Sequence, residues 1–303
     1  SNFSVLNSAI ACPNCSSSRH SRYNPFKALL HEVRDCDEDK FYNESSENSS
    51  DCIQKASSVL ENCLPLKLSA IQNLVNPNTG LLSMFYNIDG NQSNFDYFTS
   101  QLRLQPLSFS VIALAETNTG REEGDSYSLE NYSHFYGEKF PNKHKGTGVC
   151  LYIHDSLNAT ANESLCTVTK NLESLFVSVD VGNRKINVGV IYRPPSGDST
   201  EFEREFCVLN SLIPKQLEQT IILGDFNFDL LKTNSAEIDK FENTILSNGF
   251  FPSISIPTHS SKGSNASCID NILTNDIGAI SLSGVVEDFG TPHKPIVAIL
   301  DSN

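Results

Sequence analysis

The sequence predicts a layered α/β fold, with two sheets and helices outside them. Two observations carry that expectation. Short apolar stretches separated by turn residues recur along most of the chain, and stretches with helical spacing lie between them. Several of the short stretches are continuous apolar runs, the pattern of strands buried on both faces.

In chain order the strand candidates are Leu82–Ile88, Ser110–Glu116, Gly148–Ile153, Leu175–Val181, Ile186–Tyr192, Ile221–Phe226, Cys268–Leu273, Leu282–Val286 and Ile296–Leu300. Phe95, Phe98 and Leu102 share one face of a helix at i, i+3, i+7. Phe202, Phe206, Leu209 and Ile213 mark a second helix, stopped by Pro214. Ile238, Phe241, Ile245 and Leu246 mark a third, ended by Gly249. Residues 1–78 read differently. They have few apolar runs, carry the polar tract Glu38–Asp51, and offer one short amphipathic helix near Ile53–Leu66. The expected division is a flexible N-terminal region, 1–78, and a folded domain, 79–303.

Composition bounds the function. With 39% apolar residues the 303-residue chain can bury a core, which excludes a wholly disordered protein. No run of 18 consecutive apolar residues occurs, so no membrane span and no membrane partner is expected. No signal peptide is legible, and the chain starts without Met, so it reads as a piece of a longer protein. Acidic residues outnumber basic ones, 36 to 22, for a net charge of -14. That balance argues against a protein that coats nucleic acid passively. It is compatible with an enzyme whose carboxylates hold metal ions. The nine cysteines are odd in number and irregular in spacing, which is not a disulfide scaffold.

Chemistry-bearing residues collect at strand ends. Ile221-Ile222-Leu223-Gly224-Asp225-Phe226-Asn227 runs an apolar strand into an acid and an amide that share a face. Such a pair can hold a water nucleophile and donate to an oxyanion, although a strand followed by a polar turn reads the same way. Glu116 ends a second strand, and Asn87 and Asp89 end a third. Asp270 sits inside an apolar run, where a carboxylate needs partners or a metal. Tyr192 and Arg193 follow another strand, and His293 precedes the last one.

Taken in this order, the six segments resemble the endonuclease/exonuclease/phosphatase superfamily. The likeness spans roughly residues 80–301. Within the superfamily it is closest to endonuclease domains of non-LTR (LINE-type, chicken-repeat-like) retrotransposons, through NIDGNQSNFDYF, FSVIALAET, GVIYRPPSGD, IILGDFNFDLL, SNGFFPSISIPTH and SCIDNILTN. The resemblance implies a four-layered α/β sandwich of two mostly antiparallel sheets with outer helices and a site at its mouth. It implies hydrolysis of a phosphodiester in double-stranded DNA, dependent on Mg²⁺ or alternatively Mn²⁺. Glu116 would be the main metal ligand, supported by Asn87 and Asp89. Asp225 would orient or activate the attacking water. Asn227 and Tyr192 would stabilise the developing phosphorane charge. His293 would contact the phosphate or act as general base, and Asp270 would support the imidazole or the metal network. Arg193 and Lys294 would be phosphate contacts. A reverse transcriptase domain would follow this chain, and the nucleus would be its place of action. Rival readings are a cellular phosphodiesterase or abasic-site endonuclease of the same superfamily, and a decayed copy that binds DNA without cutting it.

The chain departs from the pattern at Thr291-Pro292-His293, where the superfamily has Ser-Asp-His. On the reading that this Asp fixes the imidazole, Pro292 leaves His293 dependent on Asp270, Asp288 or water, and impaired activity is expected. Lys139, Lys143, His144 and Lys145 form a small basic cluster before the middle strand, either a solvated loop or a track for the DNA backbone. Cys12 and Cys15 have the spacing of a metal knuckle, but zinc needs four ligands and no second pair follows. The resemblance offers the last ligand pair of a finger upstream. Free thiols in a tail are the other reading.

Overall fold

A computed structural model describes residues 46–75, 80–90, 92–121, 127–141, 145–214, 219–261, 263 and 265–301. Cys12, Cys15, Lys143 and His144 lie outside these residues. Two seven-stranded sheets face each other. The first has, from one edge to the other, β1 (Leu64–Leu66), β13 (Ile280–Val286), β14 (Ile296–Asp301), β2 (Gly80–Asn87), β3 (Val111–Ala115), β5 (Val149–His154) and β4 (Tyr132–Tyr136). The second has β11 (Phe251–Pro252), β12 (Asp270–Thr274), β10 (Gln219–Asp225), β9 (Arg184–Tyr192), β8 (Glu173–Val181) and β6 (Ala159–Ala161), with β7 (Thr167–Val168) also on β8. Parallel pairing is confined to β1 with β13, β2 with β3, and β9 with β10. The sheets are therefore mostly antiparallel, as expected.

Strand parity explains the layers. In β2, Leu81 and Phe85 face the second sheet, while Leu82, Met84 and Tyr86 face outward. The outer face is covered by Phe95 and Phe98 of α3 (Gln92–Arg103). The second sheet is covered by α4 (Ser199–Ser211) and α5 (Ala236–Ser247), through Phe202, Phe206, Phe241 and Ile245. Both helices start on side-chain caps, Asp198 accepting from Glu201 N and Ser235 from Ile238 N. Gly249 ends α5 at φ +81°, a conformation that favours glycine.

All nine strand candidates and all three helices are present, with ends shifted by a residue or two. The strands without a sequence signal, β1, β4, β6, β7 and β11, lie at or beside sheet edges and are mostly very short. Edge strands are half solvated, so their pattern is weak.

The N-terminal boundary differs from expectation. The helix foreseen near Ile53–Leu66 starts earlier, as α1 (Ser46–Glu61), and β1 and α2 (Leu68–Ile71) follow it. Ala56, Leu60 and Cys63 are buried in the core between the sheets. Leu64 to Leu66 pair in parallel with Gly284 to Val286. Ser255 donates to the Leu60 carbonyl at 2.5 Å. Residues 46–75 thus pack on the sandwich, through this apolar face, the β1 pairing and the Ser255 contact.

Leu60→Ala should lower the unfolding free energy by about 2–5 kcal/mol, the usual cost of a buried Leu cavity. Urea unfolding followed by circular dichroism measures it. A change below about 0.5 kcal/mol would mean that α1 does not pack on the sandwich.

Candidate active site

Topology gathers the strand ends. The parallel neighbours β2 and β3 finish together at Asn87 and Ala115. The parallel neighbours β9 and β10 finish together at Tyr192 and Asp225. Antiparallel β12 starts at Asp270, directly opposite Asp225. The chain then leaves these strands through left-handed residues: Asp89 (φ 51°), Glu116 (φ 52°), Asn118 (φ 55°) and Asn227 (φ 52°). This conformation costs about 1–2 kcal/mol in an ordinary residue. It turns each side chain into the mouth instead of continuing the strand.

Asn87 joins the two sheets. Its Nδ2 donates to Glu116 Oε1 and to Asp225 Oδ2, both at 2.9 Å. Its Oδ1 accepts from Asp89 N at 2.9 Å, which fixes the turn carrying Asp89. On the far side of Asp225, Oδ1 accepts from Asn227 N at 3.0 Å. Burial raises the Asp225 pKa, and the Asp270 charge raises it further. Burial is likewise the main reason that the Tyr192 phenol is held above its ordinary range, with Glu116 and Asp225 adding to it. Tyr192 is therefore a proton donor at any physiological pH.

The imidazole is held by Asp270. His293 Nδ1 lies 3.2 Å from both carboxylate oxygens, and Asp270 Oδ2 also accepts from Thr258 Oγ1 at 2.7 Å. Asp225, Asp270 and His293 bring ligand atoms within 4.8 Å of one another. The backbone around His293 pairs with the segment at His259, through Ser260 N to Pro292 O and Lys294 N to Thr258 O. The His259 ring lies 4.6 Å from that of His293. Burial alone would lower the His293 pKa, but the charge and hydrogen bond of Asp270 lift it to about 9.

Pro292 therefore does not leave the imidazole unsupported. Asp288 plays no part in holding it. Its Oδ1 accepts from Leu68 N at the start of α2. The two expected phosphate contacts both have partners within the chain. Arg193 is 5% exposed, with its guanidinium over the Phe228 ring at 4.2 Å. Lys294 is paired with Glu287 at 2.6 Å. A cleft of about 680 Å³ opens beside Glu116, Asp89 and Tyr192, and Lys145 is the cation on its wall among the described residues. Thr258 and His259 were not singled out by the sequence. Their only signal was Pro257-Thr258-His259 after an apolar run, and it names no partner.

Glu116 and Asp89 offer hard carboxylate oxygens on the wall of that cleft, a donor chemistry that fits a divalent cation such as Mg²⁺ or Mn²⁺. Oxygen donors and an imidazole at the strand-end mouth of a two-sheet α/β sandwich define a class of protein. The profile of the Endonuclease/Exonuclease/phosphatase family matches residues 84–293, and the chain belongs to that family. No curated protein matches the chain.

Several solved structures share the fold. One is the endonuclease domain of TRAS1, a telomere-specific non-LTR retrotransposon, at 14% identity, TM-score 0.57, covering 73% of this chain and 98% of that one. Another is an AP endonuclease from Leishmania major, at 12% identity, TM-score 0.57, covering 84% and 99%. A third is an AP endonuclease from Archaeoglobus fulgidus, at 14% identity, TM-score 0.54, covering 73% and 100%.

In the metal-free protein the His293 ring should titrate near pH 9, read from its carbon-bound protons by NMR. In Asp270→Asn the value should fall, because burial then opposes only the more distant charges of Asp225 and Glu116. Because the folded value lies above that of a free imidazole, the pair stabilises the fold fully below about pH 6.5 and ceases to do so as pH climbs through about 9. An unchanged titration in Asp270→Asn would remove the contact from the account.

Proposed function

We propose that this chain is the DNA endonuclease domain of a retrotransposon-type protein. It would nick double-stranded target DNA by hydrolysis in the nucleus and leave a 3′-hydroxyl that primes reverse transcription. The observation that carries the reading is the Asn87 amide bridging Glu116 and Asp225, with the Asp270–His293 pair beside them. The TRAS1 domain among the similar folds and the YRPPSGD and NFDYF stretches favour the retrotransposon branch.

Glu116, Asn87 and Asp89 would hold the divalent cation, whose charge offsets that of the non-bridging phosphate oxygens. Asp225, fixed by Asn87 and by Asn227 N, accepts a hydrogen bond from the attacking water and aligns it with phosphorus. Tyr192 and the Asn227 amide donate to the oxygens on which charge develops. His293, with Nδ1 committed to Asp270, keeps Nε2 for the phosphate. Among the described residues Lys145 is the one cation on the cleft wall, which fits a site whose affinity comes from the bound metal instead of a basic surface.

The chain should relax supercoiled plasmid to open circles in Mg²⁺ and not in EDTA. Glu116→Gln and His293→Ala should each lose about 10²-fold or more in single-turnover rate. Pro292→Asp should change the rate by less than about threefold, because Asp270 already holds the ring. A parent protein that leaves plasmid intact in Mg²⁺ and Mn²⁺ yet releases phosphate from a monoester would move the reading to the phosphatase branch of the family.

A further inference from the structure

Arg193 was expected at the DNA surface, and its surroundings describe a different task. The residue follows β9 directly, and its backbone N donates to Asp225 O at 2.9 Å. Its side chain turns inward, with its guanidinium carbon over the Phe228 ring at 4.2 Å and the Phe202 ring at 6.0 Å. From there Nη1 donates to the Asn227 carbonyl at 3.3 Å and Nη2 to the Gly197 carbonyl at 2.9 Å. The exchange is reciprocal, because Asn227 Nδ2 donates to the Arg193 carbonyl at 2.7 Å. Asn227 is the left-handed residue that turns the chain away from Asp225.

We propose that Arg193 is a positioning residue: its stacked guanidinium clamps the Asn227 backbone so that the Asn227 amide meets the scissile phosphate. The proposal rests on the nuclease reading of Asn227. With one amide N–H committed to Arg193 O, the other has no partner among the described residues, and it is the one left to donate to a phosphate oxygen. No carboxylate pairs with the guanidinium among the described residues, and its Nε lacks a partner. Glu237, Asp225, Asp198 and Glu203 act on it only at longer range, and the direct contacts of the site are two carbonyls and a ring. A planar fork that reaches two carbonyls while lying on an aromatic ring is what it selects, and lysine has neither the plane nor the fork.

The test compares the parent with Arg193→Lys and Arg193→Ala. In plasmid nicking at fixed Mg²⁺ both variants should lose about 10²-fold in single-turnover rate, the cost of a misplaced group near the reacting atoms, with KM for DNA within about threefold. Methylguanidinium should restore part of the Arg193→Ala rate, and methylammonium should not. Hydrogen exchange of the Asn227 side-chain amide, read by NMR, should quicken about tenfold in both variants as the clamp opens. A raised KM at unchanged rate, with the salt dependence of binding reduced by about one phosphate, would make Arg193 a DNA contact and overturn the proposal. A lowered melting temperature with rate and KM unchanged would overturn it in favour of a purely structural role. If the parent itself does not nick, the nuclease reading fails. The amide exchange then decides the clamp alone, and unchanged exchange rejects it.

Discussion

The Asn87 amide is the contact on which the site depends. It sits at the end of a strand in one sheet and donates to a carboxylate of its own sheet, Glu116, and to one of the opposite sheet, Asp225. Two carboxylates facing each other repel, and the burial of Asp225 adds a desolvation cost. A neutral amide offers one N–H to each and fixes their separation. Its carbonyl end ties down the Asp89 turn at the same time. The rigid sandwich supplies the remaining precision, since β9, β10 and β12 bring Tyr192, Asp225 and Asp270 into one row of register.

Electrostatics gives the mouth its character. The net charge of -14 would repel a polyanion, and the cleft wall adds carboxylates to that charge. Buried acids tolerate this arrangement only with a proton, an imidazolium or a metal among them. Burial pushes Asp225 toward its protonated form, and the Asp270 charge adds to that shift while pushing His293 toward its charged form. A divalent cation at the Glu116 side would relieve the same imbalance. The acidic composition is consistent with an enzyme of this kind and inconsistent with a protein that holds DNA through a basic face.

The cations that flank the site show how little charge alone says about role. Arg193 and Lys294 stand next to strand-end motifs in the sequence, and both read as phosphate contacts there. In the folded chain one lies on Phe228 and the other on Glu287. Lys145, one member of an unremarkable loop cluster, is the one on the cleft wall. A side chain of four rotatable bonds can point to either face of a strand end, so its partner is chosen by packing.

What the sequence determined by itself is local. Apolar periodicity placed nine strands and three helices, because burial on one face or two leaves a repeat of 2 or 3.6 residues in the chain. Strand-end chemistry marked Asn87, Glu116, Asp225, Asp270 and His293 as candidates, because polar residues interrupt buried runs only where something holds them. The tertiary structure decided the pairings. It gave Asp270, 23 residues upstream, to His293 as its support, where the sequence had left Asp270, Asp288 and water open. It joined residues 46–75 to the sheets through β1, whose three residues carry no periodic signal. It added Thr258, which donates to Asp270, and His259, whose ring lies beside that of His293. Each of these depends on contacts between segments far apart in the chain. Such contacts are fixed by register and packing across the two sheets, and a linear pattern holds no record of either.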